Sequence, residues 1–84
     1  VTPTVGRIVH VIVKPDGNNG SDVAPAIITR VRDQAGDRWI VNYRIVLDGP
    51  GTPWVTSAHL YPDEEAARAS GNVDGLAAFW PPRA

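Results

Sequence analysis

The chain predicts an all-β domain, a small SH3-like five-stranded barrel, and three observations carry that prediction. Val5 to Val13 is a long apolar run rich in β-branched residues. Trp39 to Asp48 alternates strictly between two faces. Clusters of Gly, Pro, Asn and Asp then cut the rest into pieces of strand length. β-Branched side chains are restricted in helices and fit a pleated surface, and a period of two is the mark of a half-buried strand. At 84 residues there is room for one domain, residues 1–84, with a thin core. A small sheet avoids exposed edges by bending and closing on itself.

The first strand puts Arg7, Val9, Val11 and Val13 on one face and Ile8, His10 and Ile12 on the other. Both faces are largely apolar, whereas a strand of a small antiparallel domain normally shows water one side. Cover on both faces is therefore expected, from this chain or from a second copy. Lys14 to Asp22 is dense in turn formers and reads as an exposed, mobile loop. Val23 to Arg32 reads as the second strand, with Pro25 near its start where a missing N–H is tolerated. Strict alternation sets Ile27, Thr29 and Val31 against Ala26, Ile28, Arg30 and Arg32. Asp33 to Asp37 is the hairpin connection.

In the third strand Trp39, Val41, Tyr43, Ile45 and Leu47 form the inward stripe, opposite Ile40, Asn42, Arg44, Val46 and Asp48. Asp48 to Pro53 turns the chain into a fourth strand, Trp54 to Leu60. Alternation there sets Trp54, Thr56, Ala58 and Leu60 against Val55, Ser57, His59 and Tyr61. Pro62 to Gly71 runs proline, acids, alanines and a closing glycine, the order of a short helix, although an acidic loop fits the same residues. Leu76 to Trp80 is a last strand, stopped by Pro81 and Pro82.

Composition removes several function classes. There is no cysteine, hence no disulfide, thiolate zinc site or cysteine nucleophile. A net charge of −1, with one lysine against seven arginines, offers no lysine-rich strip for a nucleic-acid backbone. No polymeric nucleic acid is expected as a partner. No long apolar run suggests a membrane span. His10 and His59 are the only histidines, and no close ligand spacing supports a metal. The serines lack a nucleophile-elbow frame, and no glycine-rich phosphate loop precedes a helix. The expectation is a non-catalytic protein without cofactor or metal.

Pro3-Thr4-Val5-Gly6-Arg7-Ile8-Val9-His10-Val11 resembles the opening of a group of small tailed-phage accessory proteins of actinobacteriophage type, which begin with a P-x-V-G-R-I-V-H-Y-like segment. Pro25 to Val31 is similar to that group's A-A-I-V-T-x-V strand, and Ala78-Phe79-Trp80-Pro81 to its terminal W-H-W-P-like segment. Val11 and Ala78 stand where the group carries aromatics, and Asp48–Pro53 and Asp63–Ser70 have no clear counterpart. The resemblance covers about half the chain. It implies a viral accessory protein acting in the cytoplasm of the bacterial host, and no particular chemistry.

What remains is a binding inventory. A nucleotide pocket needs rings for base stacking and fixed cations for phosphates. Arg7, His10, Arg44, Trp54 and Trp80 are the residues expected to supply it, while Trp39 and Tyr43 are expected in the core. The leading expectation is a homo-oligomer that sequesters a small nucleotide of cyclic or ADP-ribose type, an anti-defence sponge for a host signalling molecule. The alternative is a protein-interaction module that inhibits a host protein or decorates a virion.

Overall fold

The computed structural model describes residues 2–82. Five strands close into one barrel in sequence order: β1 (Ile8–Ile12), β2 (Val23–Ala35), β3 (Arg38–Ile45), β4 (Trp54–Tyr61) and β5 (Ala77–Phe79). One short helix, α1 (Glu64–Ala69), stands before the last strand. Neighbours β1 to β4 pair antiparallel. β5 closes the barrel, antiparallel to β1 and parallel to β4. The SH3-like all-β barrel with a small insertion before its last strand is the architecture expected, and the open question about the insertion resolves as helix.

The interior is filled by alternate residues of each strand. Val9 and Val11, Ala24, Ala26 and Ile28, Val41, Tyr43 and Ile45, Ala58, Leu60 and Ala78 are all buried in one cluster. Trp39 and Leu47 pack against it at the two ends of the third strand's inward stripe, as the alternation predicts. Each fully buried Val, Leu or Ile contributes about 1.5–3 kcal/mol, so even a thin core stabilises a chain of this size. Tyr43 also buries a hydroxyl, which donates to the Gly75 carbonyl at 2.6 Å. That burial pushes the Tyr43 phenol well above its ordinary pKa. Gly75 sits at φ +86°, and a Cβ there would lie 3.2 Å from Ile45 Cδ1. A left-handed turn pressed against the core is a place for glycine.

Two strands depart from strict alternation. In β2, Ile28 faces Tyr43 but Arg30 faces Asn42, and Val31 faces Val41 but Asp33 faces Ile40. Thr29 and Arg32 are thus extra residues, and each bulge shifts the faces by one. Val31 comes to the core side with Ala26 and Ile28, and Arg30 turns outward. In β4, Thr56 and Ser57 together oppose Asn42, with Ser57 at φ +56°. The Asn42 amide oxygen holds this bulge, accepting from Ser57 N at 2.9 Å and Thr56 Oγ1 at 3.1 Å. Trp54 therefore faces out and Val55 in, while Ala58 and Leu60 face in beyond the bulge. Both corrections have one cause: a strongly bent sheet needs bulges, and period-two reading passes over them.

The loop after β1 is also more ordered than its composition predicts. It contains a 3₁₀ turn at Pro15–Gly17. Asn18, buried, donates through Nδ2 to the carbonyls of Ser21 and Val23 at 2.9 and 3.0 Å, and accepts from Asp48 N at 2.6 Å. One side chain thus ties this loop to the turn after β3.

Helix α1 starts at an Asp63 cap whose carboxylate accepts from Ala66 N at 2.8 Å. Arg68 anchors its far side, donating to Glu64 at 2.8 Å and to Asp22 at 2.9 Å. The Arg68 guanidinium holds the Asp22 carboxyl below its ordinary range. The helix lays Ala67 over a second apolar cluster on the outside of the barrel, made of Ile12, Tyr61, Ala77 and Phe79. This is the cover that the second face of β1 requires, and at the Ile12 end the chain provides it itself. Among the described residues no helix is long and apolar enough to cross a membrane.

Candidate binding cleft

At one end of the barrel the chain leaves a cleft of about 760 Å³. Trp39, at the start of β3, and Trp80, just past β5, pack against the core from this end and are half-buried. Leu60 and Tyr61 finish β4 between them. The rim is polar on two sides, with Gln34 from the end of β2, Asp37 from the β2–β3 turn, and Asp63, Glu64 and Glu65 from the start of α1. Pro62, Pro81 and Pro82 complete the wall.

Two of the three rings already hold a cation. The Arg7 guanidinium carbon lies 5.3 Å from the centre of the Trp80 ring, and that of Arg38 lies 5.8 Å from the centre of Tyr61. The negative face of an aromatic ring attracts guanidinium at this range. Arg38 Nε is buried with no hydrogen-bond partner, so the ring face is the compensation this cation has there.

The carboxylates differ in how far they are engaged. One Asp63 oxygen caps α1 and Glu64 pairs with Arg68. Asp37 and Glu65 make no hydrogen bond or ion pair among the described residues. Among the described residues the cleft thus presents Trp39 without a cation and two carboxylates, Asp37 and Glu65, without a partner. The acids of the rim attract positive charge, and Trp39 offers a flat apolar face.

The five residues expected to bind a ligand fall into separate places. Arg7 and Trp80 stack together at the cleft. His10 lies outside the barrel on β1, edge-on to Phe79 with ring centres 5.7 Å apart. Arg44 and Trp54 stand directly opposite each other in the β3–β4 ladder, both exposed on the outward face. The cleft residues that the sequence reading did not select for binding are Trp39, Tyr61, Asp37 and Glu65. A local signal was present, since acids flank both rings in the chain, at Asp37 before Trp39 and at Asp63–Glu65 after Tyr61. Among the described residues no group of three His, Asp or Glu side chains is placed to hold a metal ion. No protein family, curated protein or solved structure matches the chain.

Proposed function

We propose that this protein is a non-catalytic interaction module that takes an extended, cationic segment of another protein into the cleft. One observation carries the reading: Trp39, Tyr61 and Trp80 line a cleft whose charged lining residues, Asp37, Asp63, Glu64 and Glu65, are all acids. A flexible basic side chain can lie over Trp39, the ring without a cation, and meet a carboxylate of the rim, combining cation–π and charge-assisted contacts. Prolines of the rim add rigid apolar contacts at no side-chain entropy cost. A nucleotide in the same cleft would set its phosphates beside Asp37 and Glu65, which favours the module over the nucleotide sponge. The resemblance to phage accessory proteins supports a target in the host cell or the virion.

The test is calorimetry with an arginine- and proline-containing peptide, its neutral analogue with glutamine for arginine, and a panel of cyclic nucleotides and ADP-ribose isomers. Binding of the cationic peptide is expected, weakened by salt and by the double substitution Asp37→Asn, Glu65→Gln. Losing one charge-assisted contact costs about 1.5–3 kcal/mol. Equal binding of the neutral analogue would reject the reading. Heat from a nucleotide, with none from the peptides, would return the case to nucleotide capture.

A further inference from the structure

Away from the cleft, the outward face of β2 and β3 collects arginines. Arg44 stands opposite Ile27 on one side and Trp54 on the other, and Arg30 stands opposite Asn42, two residues along the same strand. Arg32 follows at the second bulge, beside a shallow hollow of about 340 Å³ that it shares with Arg30, Val31, Asp33 and Ile40. The ion pairs among the described residues use Lys14 and Arg68 and none of these three. Asp33, the nearest acid in the chain, accepts from Gln34 N at 2.8 Å. Arg44 to Arg30 is a diagonal step between the two strands, about 7–8 Å, and Arg30 to Arg32 is two residues along β2, roughly 7 Å at about 3.3 Å per residue. Beside them lies Trp54, 54% exposed, with Ile27 at 40% and Ile8 at 48% in the same row across the strands.

From this juxtaposition we infer that the outward face of β2–β3 is a binding site for single-stranded nucleic acid. The phosphates lie along Arg44, Arg30 and Arg32, and a base stacks on Trp54. A file of cations running obliquely across two neighbouring strands suits a linear polyanion, which carries one charge per nucleotide, better than a two-dimensional lipid surface. The face is open rather than concave, so it suits a strand laid across it and gives a lone nucleotide little to enclose it. The overall charge of −1 speaks against nucleic acid only if charge is evenly spread. Here four acids line the cleft at the barrel end, and three arginines occupy the sheet face. The inference is independent of the cleft's function, and either can fail alone.

The experiment is fluorescence anisotropy of a short labelled oligothymidylate with the whole protein across a salt series. Three neutralised phosphates predict a slope of log K against log salt of about −2, from roughly −0.7 per phosphate on single strands. Arg44→Ala and Arg30→Ala should each make the slope shallower by about 0.7. Trp54→Ala should weaken binding at least about fivefold, the lower end of a stacking loss. These side chains are exposed, and unchanged thermal melting will confirm that the variants fold. No binding at low salt, or binding indifferent to Arg44 and Trp54, overturns the inference. So does binding to phosphatidylserine vesicles without the oligonucleotide, or concentration-dependent self-association that Trp54→Ala abolishes while the oligonucleotide stays unbound.

Discussion

Ile8 and Ile12 stand four residues apart on the same outward face of β1, yet one is 48% exposed and the other 2%. The strand treats them alike, since both are isoleucine at even spacing on one side of the pleat. The difference lies in what stands outside. Over Ile12 the chain lays α1, with Ala67 against Ile12, Tyr61, Ala77 and Phe79. Over Ile8 none of the described residues provides such cover, and the row Ile8, Ile27, Arg44, Trp54 is exposed across four strands. An apolar outer face in a small barrel is thus two things at once. At one end it is a second core, and at the other an open surface with cations set into it.

Truncating each isoleucine separates the covered end of β1 from the open one. Ile12→Ala is expected to cost about 2–5 kcal/mol in denaturant unfolding, as a buried large-to-small change. Ile8→Ala should change stability by no more than about 0.5–1 kcal/mol, because its side chain is already half in water. Equal losses would mean that the Ile8 end is covered too, in a self-associated state.

The inner core supplies a reference for the covered region. Tyr43→Phe removes the donor to the Gly75 carbonyl and should cost about 1–3 kcal/mol, the penalty for a buried acceptor left unpaired. It also predicts a pH effect. An unfolded tyrosine ionises near pH 10, whereas folded Tyr43 keeps its proton well above that. Its contribution is therefore complete below about pH 10 and is lost as pH rises toward the folded value. Unfolding curves between pH 9 and 11 should show this alkaline decline in the native protein and a shallower one in Tyr43→Phe.

The smallest effect concerns the cover itself. Asp63→Ala removes the cap of α1 and should cost about 0.5–2 kcal/mol. Hydrogen exchange should then rise at Ala66 and Ala67 while the amides of β3 stay protected, because β3 lies outside that cluster. Uniform acceleration across the barrel would mean that α1 and the sheet open together.

Much of the barrel was legible because its rules are local. Val41, Tyr43 and Ile45 alternate as an inward stripe, and they are buried as one. The acids, alanines and glycine around Glu64–Ala69 carry helix chemistry, which a cap at Asp63 completes. The candidate site was much less legible. Arg44 and Trp54, expected beside Trp80, stand exposed on an outward face away from it. Trp39 packs on the core as its stripe predicts, and it and Tyr61 also wall the cleft, which alternation along one strand does not show. Asn18 looked like loop composition and proved to be the tie between two loops.

By itself the sequence determined where the chain extends, where it turns and which residues alternate, because those preferences act between near neighbours along the backbone. Only the tertiary structure decided where the alternation slips, since bulges at Thr29, Arg32 and Ser57 answer the curvature of a closed sheet. It alone decided that Ile12 is core and Ile8 is surface, because burial depends on a helix more than fifty residues away. It also parted the acids from the arginines. Asp37 and Glu65 line one cleft, and Arg30 and Arg44 stand on neighbouring strands of one face, and neither placement is a property of any one segment. Charge summed over the chain is near zero; charge placed by the fold is not.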